Sequence, residues 1–209
     1  MADEPQRIKY GTGREALIEA AVRVVARHGL HGMTFRKVAQ EAGVNNSLVA
    51  HHFGSLSALA NAALEWSAAT AMRDSHLDGF LDSESDYKAA LWSTLDQRRD
   101  LHVYQFEMIL EASRDAEVRS QIIDMYDRYT AGVSRSMFGS AATADDDALA
   151  RAVFAALDGL VLQYVGGAIT RDQVDASVSA LWRLAAASGT RYPSTSTPNP
   201  ATTARTSSR

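Results

Sequence analysis

Apolar residues recur along most of this chain at the spacing of one helical face. Between Thr12 and His28, Leu17, Ala20, Ala21, Val24 and Val25 form a single stripe, the signature of an amphipathic helix. Gly29 follows where a helix stop belongs. Thr34 then stands as an N-cap ahead of Phe35, Val38, Ala39 and Ala42, which repeat at i, i+3, i+4 and i+7. Gly43 interrupts, and a short third helix is predicted from about Asn45 to His52. A longer fourth helix begins near Ser55 or Ser57 and continues through Leu59, Ala63, Trp66 and Thr70. No stretch alternates apolar and polar positions for long, so no strands are expected and the fold class is all-α.

The second half continues in the same period. The acidic, Ser-rich stretch Asp74–Asp86 reads as a connection. Helices are predicted near Tyr87–Leu95, Arg99–Ala112 and Ala116–Phe138, the last capped by Asp115. Residues 139–147 form a second loop ending in Asp145, Asp146 and Asp147. Three acids at a helix start are favoured by the helix dipole, so they read as structural rather than as a metal cluster. Two final helices cover about Ala144–Gly166 and Asp172–Ser188, the second opened by a capping box over Thr170-Arg171-Asp172-Gln173. Residues 189–209 are Ser/Thr-rich with three prolines and no acids, the composition of a disordered tail. Three parts follow: a small helical unit at 1–54, a larger one at 55–188, and the tail at 189–209.

Composition narrows the chemistry. There is no cysteine, which excludes disulfides and thiolate metal sites. The N-terminus MADEPQRIKYGTGRE lacks an apolar signal region. No run is expected to reach the roughly 18 apolar residues of a membrane span. A soluble, cytoplasmic protein without a membrane partner is therefore expected. The net charge is −4, but residues 1–54 carry seven Lys/Arg against five acids, +2, so the remainder sums to −6. A basic small unit on an acidic body suits nucleic-acid binding.

Residues 34–53 have the form of a helix-turn-helix. Ala39 is small where the third helix must cross the second. Gly43 sits in the turn, where a positive φ is easiest for glycine. Val44 and Val49 are apolar where the pair must clamp onto the first helix. If the third helix enters a major groove, its N-terminal Asn45, Asn46 and Ser47 meet base edges. Asparagine can pair in bidentate fashion with adenine, and serine can bond several bases. Asn45 is read mainly as the helix cap, Asn46 and Ser47 as the readers. Thr34, Arg36 and Lys37 open the second helix, where backbone N–H groups and cations suit a DNA phosphate; solvated surface charge is the alternative for the two cations. His51 and His52 are not read as a metal pair, because adjacent helical residues diverge by about 100° while metal pairs favour i, i+3 or i+4.

On these residues, GLHGMTFRKVAQEAGVNNSLVAHHFGSLSAL resembles the N-terminal signature of the TetR (tetracycline-repressor-like) regulators. The likeness in motif covers about Arg14 to Leu64. DQRRDLHVYQFEMILEASRDAEVR and ALDGLVLQY are similar to segments in the ligand-binding halves of such proteins. The resemblance implies an N-terminal three-helix DNA-binding domain and a C-terminal helical ligand-binding and dimerisation domain. It further implies a homodimeric repressor released from a near-palindromic, double-stranded DNA operator by a small-molecule effector, with no cofactor. Two positions depart from the family pattern: Ala50 replaces a usual aromatic and Leu56 a usual Lys, both commonly phosphate contacts. His51 or His52 can supply part of what is lost.

In the body, LHVYQFEMILEA is apolar on nearly all sides and so should be buried, yet it carries His102, Tyr104, Gln105, Glu107 and Glu111. These polar groups need partners, either a ligand cavity or ion pairs to arginines such as Arg99 or Arg128. Guided by the resemblance, Trp92, Tyr104, Met108, Tyr126, Tyr129 and Leu157 are candidate pocket residues, with Glu111 and Asp158 as polar members. Asp158 reads equally well as a buried anchor or as a structural acid. The last two helices, with Leu160, Tyr164, Val178, Leu181, Trp182 and Ala185, suit pairing with a second copy in a four-helix bundle. An enzyme using His102 with Glu107 or Glu111 lacks both a nucleophile motif and metal-ligand spacing. A helical interaction dimer without operator binding is the remaining alternative.

Overall fold

The computed structural model describes residues 12–74, 77, 80 and 82–189; the predicted tail lies outside the described residues, Gly189 apart. Among the described residues nine α-helices run in the order α1 (Thr12–His28), α2 (Phe35–Ala42), α3 (Asn46–Phe53), α4 (Leu56–Asp74), α5 (Glu84–Gln97), α6 (Arg99–Glu111), α7 (Ala116–Phe138), α8 (Ala144–Val165) and α9 (Arg171–Gly189). Short 3-10 turns lie at Leu30–Gly32 and Gly139–Ala141. The described residues contain no strand.

The small unit is built on α1, whose Leu17, Ala21, Val24 and Val25 are buried. Helix α2 lays Val38 and Ala39 against it, and α3 adds Val49, which is fully buried. The turn between α2 and α3 closes as a Schellman motif: Val44 N–H donates to the Ala39 carbonyl and Gly43 N–H to that of Gln40. Gly43 has φ 68° and ψ 31°, the left-handed conformation, and nothing lies within 4 Å of where its Cβ would be. Only backbone conformation therefore demands glycine there. An electrostatic clamp reinforces the pair: Glu41 of α2 accepts from Arg23 Nε and Arg27 Nη1 of α1, both at 2.6 Å. Arg23 and then Arg27 hold the Glu41 carboxyl below its ordinary range.

The body is centred on α6. It packs against α1 and α4 on one side and against α5, α7 and α8 on others, with Leu101, Tyr104 and Met108 almost fully buried. Helix starts follow the expected capping chemistry. Asp115 accepts from the N–H groups of Glu117 and Val118. Thr170 and Gln173 exchange the two bonds of a capping box. Thr143 and Asp146 form a second box at α8, and Asp147 accepts from Ser134 Oγ at 2.8 Å. Two of the three clustered acids thus have structural partners.

Two expectations are corrected. The segment 74–86 is not merely a polar connection: Leu77 and Phe80 are buried, and Phe80 meets the Tyr87 ring edge-on at 4.9 Å. Helix α5 also starts before Tyr87, at Glu84, because Ser83 caps it through the Asp86 N–H. The acids and serines around them hide these two apolar anchors in a composition reading. Helix α8 is, by length and composition alone, apolar enough to cross a membrane. It is apolar on two sides at once: Val153, Leu157 and Val161 face the core, while Leu149 and Leu162 are exposed.

Substituting Gly43 separates conformational from steric demand. Gly43→Ala should lower stability by about 1–2 kcal/mol, the cost of holding a residue with a Cβ in the left-handed region. Gly43→Asn should cost less, since asparagine visits that region more readily. Thermal unfolding at fixed protein concentration gives the comparison; equal effects of the two changes would contradict a purely conformational role.

Candidate nucleic-acid interface and the buried polar cluster

The exposed edge of α3 is polar at its start and aromatic at its end. Asn45 caps the helix, its Oδ1 accepting from Ser47 N–H at 3.0 Å and from the Ser47 hydroxyl at 3.1 Å. Asn46 and Ser47 are both exposed. His51 lies one turn after Ser47 on the same side, and His51 and His52 are exposed with ring centres 5.7 Å apart, edge to face. Behind this edge, buried Val49 and half-buried Val44, Leu48 and Phe53 pack on the core. The helix is thereby fixed while its polar edge faces solvent.

Helix α2 presents a second set. Thr34 caps it by accepting from Lys37 N–H, and Arg36 is exposed. Lys37 is half-buried, and its amine donates to the Gly32 carbonyl at 3.0 Å. Leu56 is partly buried against the core at the start of α4, so the position that usually carries a lysine is used here for packing. Two of the seven cations counted in the small unit, Arg23 and Arg27, are engaged by Glu41. Arg14 is a cation that the motif reading passes over: its guanidinium lies 5.0 Å from the centre of the Phe53 ring, at the end of α3.

The candidate effector residues divide into groups. Tyr126, Tyr129 and Asp158 come together: Tyr126 O–H donates to Asp158 Oδ2 at 2.9 Å, and both tyrosines meet Phe154 of α8. Leu157, beside Asp158 on α8, is buried. Tyr104 is fully buried and donates to the Ala60 carbonyl of α4 at 2.7 Å, and Met108 is buried one turn further along α6. Trp92 is elsewhere. Its Nε1 donates to Asp175 of α9 at 2.7 Å, its ring meets Tyr164, and Arg171 stacks on it at 4.1 Å. It fastens α5 to α9, which corrects its grouping with the other aromatics. Gln105, left out of that grouping, joins three helices: its amide donates to Tyr129 Oη at 3.0 Å and to Ser67 Oγ of α4 at 3.3 Å.

The acids of α6 do not pair with Arg99 or Arg128. Arg128 pairs with Glu65, and Arg99 donates to the Val165 carbonyl. Glu111 is held instead by the near neighbour Arg114 at 2.9 Å. Glu107 reaches into the small unit, where its Oε2 accepts from Leu30 N–H at 3.3 Å. That amide opens the 3-10 turn after Gly29, which has no side chain to cap it. His102, Glu107 and Glu111 are thus not assembled as an acid–base set.

The geometry matches what comparison with known proteins finds. The family model for the bacterial regulatory proteins of the tetR family matches residues 17–63, and that for the tetracyclin repressor-like C-terminal domain matches residues 84–186. The chain belongs to the TetR family. Members are DNA-binding transcriptional regulators rather than enzymes. A segment is 45% identical over 42 residues to the HTH-type transcriptional regulator BetI of Agrobacterium fabrum, and spans only 20% of each chain. A transcriptional regulator from Pseudomonas aeruginosa PAO1 is 26% identical, with a TM-score of 0.67 over 90% of this chain and 97% of that one. The multidrug binding protein EbrR, solved in complex with ethidium, is 26% identical, with a TM-score of 0.62 over 82% and 98%.

One group in this TetR-family protein gives a signed pH dependence. His102 Nε2 is sealed from solvent and has no hydrogen-bond partner among the described residues, and burial pulls the imidazole down to about 4 from an ordinary 6.5. The unfolded chain therefore takes up this proton first. Stability is lost as pH falls from 6.5 towards 4, by up to about 3 kcal/mol. Asp158 acts in the opposite sense, because burial raises its pKa and the folded chain takes up that proton first. The difference between wild type and His102→Leu isolates the histidine: the variant's denaturant midpoint should fall less between pH 6.5 and 4.5. Parallel curves would show that the histidine finds a compensating partner.

Proposed function

We propose that this chain is a homodimeric repressor that reads a near-palindromic operator through α3 and releases it when a small molecule enters the body among α6, α7 and α8. The observation that carries this reading is the polar edge of α3, exposed along its length and backed by buried Val49. Asn46 pairs with a base edge, adenine N6/N7 being the natural partner, and Ser47 keeps its acceptor lone pairs for a base donor. Asn45 holds the helix start, while Thr34, Arg36 and Lys37 face phosphates, Lys37 by exchanging the Gly32 carbonyl for one. His51 and His52 stand where they can replace contacts that Ala50 and Leu56 do not make.

The dimer is proposed through α8 and α9, whose exposed Leu149, Leu162 and Leu184 a second copy would cover in a two-fold bundle. Two reading heads would then meet half-sites about one DNA turn, or a multiple of it, apart. The ethidium complex of EbrR supports a small-molecule effector. Tyr104, Met108, Tyr126, Tyr129, Leu157, Asp158 and, at the margin, Glu111 are the proposed effector surroundings. Release follows by population shift: an effector that favours one packing of α6 and α7 changes the setting of α4, which Gln105 and Tyr104 both hold, and so the spacing of the heads. Operator binding places its work in the cytoplasm.

Gel shifts with DNA flanking its own gene test the reading. Sequence-selective binding that weakens steeply with salt is expected. Asn46→Ala should weaken operator binding by about 1–3 kcal/mol and relax selectivity at one base position, with the thermal midpoint unchanged because the side chain is exposed. Binding to no DNA would instead favour a helical interaction dimer, and a loss spread evenly over all sequences would make Asn46 a backbone contact rather than a base reader.

A further inference from the structure

The carboxylate of Asp158 sits among aromatic rings without a cationic partner. It projects from α8 one turn after Phe154, opposite Tyr126 and Tyr129, which are themselves one turn apart on α7. Tyr126 meets the Phe154 ring edge to face, with centres 5.8 Å apart, and Tyr129 meets the same ring at 5.3 Å. Among the described residues the carboxylate accepts one hydrogen bond, from Tyr126 Oη at 2.9 Å, and no lysine or arginine faces it. Phe154 and Tyr129 are buried, while Tyr126 and Asp158 are half-buried. Two of the rings are thus buried, while the acid keeps part of its surface in solvent.

An ionised carboxylate taken out of water is costly unless a positive charge answers it. Burial accordingly holds the Asp158 pKa above its ordinary value, and the Tyr126 bond offsets only part of that effect. Ring faces carry negative potential as well, so the rings and the acid favour the same kind of guest. A hard metal ion needs several oxygen ligands, and here one carboxylate stands among hydrocarbon surfaces. A weakly hydrated organic cation meets both features at once.

We propose that Asp158, Tyr126, Tyr129 and Phe154 form a recognition site for an organic cation of the substituted ammonium or phosphonium type, and that such a cation is the effector. This rests on the reading of the chain as a ligand-released regulator. The site is already coupled to the rest of the body: Tyr129 Oη accepts from Gln105, whose amide also reaches Ser67 on α4. A guest that displaces the Tyr129 ring therefore acts on the helix that leads out of the reading head.

Calorimetric titration of the full chain with ethidium and with tetraphenylphosphonium tests the proposal, with neutral triphenylphosphine oxide as the uncharged control. Both cations should bind saturably and the neutral control far more weakly. Asp158→Asn keeps the size of the side chain and an acceptor for Tyr126, and should weaken both cations on the order of 100-fold. Phe154→Leu, with the acid intact, should weaken them about 5-fold. Without ligand, Asp158→Asn should melt higher than wild type at pH 7, because the unanswered charge is gone. The proposal is overturned if wild type binds neither cation, if Asp158→Asn binds them as tightly, or if the neutral control matches them. Gel shifts on ligand-free wild type separate the two claims: operator binding without cation binding removes only this inference, and cation binding without operator binding removes the regulator reading and the effector role while leaving the cation site.

Discussion

Burying α6 obliges every polar side chain on it to find a partner, and those partners tie the molecule together. Left unpaired, each such group costs free energy comparable to a lost hydrogen bond. Tyr104 finds the Ala60 carbonyl on α4, Gln105 finds Tyr129 on α7 and Ser67 on α4, and Glu107 finds the open amide of the turn after α1. No two of these solutions fall on the same partner residue. One helix thus registers the small unit, the connecting helix α4 and helix α7 against each other. His102 is the exception, and its depressed pKa is the electrostatic record of a polar group buried without a partner.

What could be read in the sequence follows from how local the determining physics is. Caps and stops act within a few residues, so Thr34, Asn45, Asp115 and the Thr170 box are legible, as is Gly43. Periodicity gives the buried stripe of each helix but not the neighbour it meets. Trp92 therefore looks like a companion to Tyr104 and Tyr126, although an indole N–H buried on α5 is answered by Asp175 on α9. Glu107 is illegible for the same reason: its partner is a backbone amide 77 positions away, and amides leave no mark in a sequence. Polarity inside an apolar helix is the signal that does survive, and it points to Gln105 as readily as to Tyr104. Phe80 shows the converse, an apolar anchor concealed by the acids and serines around it.

Charge counting is the least transferable part of a sequence reading, because a formal charge says nothing of its partner. Of the basic residues of the small unit, Arg23 and Arg27 stabilise α2 on α1 through Glu41, and Lys37 is engaged with a carbonyl. Arg36 and Arg14 carry no carboxylate partner among the described residues, and Arg14 lies over Phe53 at the end of the reading helix. With Leu56 turned to packing, few cations remain among the described residues to neutralise phosphates, and each one missing lowers both affinity and its salt dependence. In the proposed reading, base-edge contacts would then supply a larger share of the binding free energy. On that reading, a head built this way would give up affinity for any DNA before discrimination among sequences, and a modest change in the spacing of two such heads would suffice to release them. The same economy of charge makes Asp158 conspicuous: among the described residues it is half-buried beside aromatic rings with no lysine or arginine facing it, so a bound cation of the kind proposed would change the electrostatics strongly there.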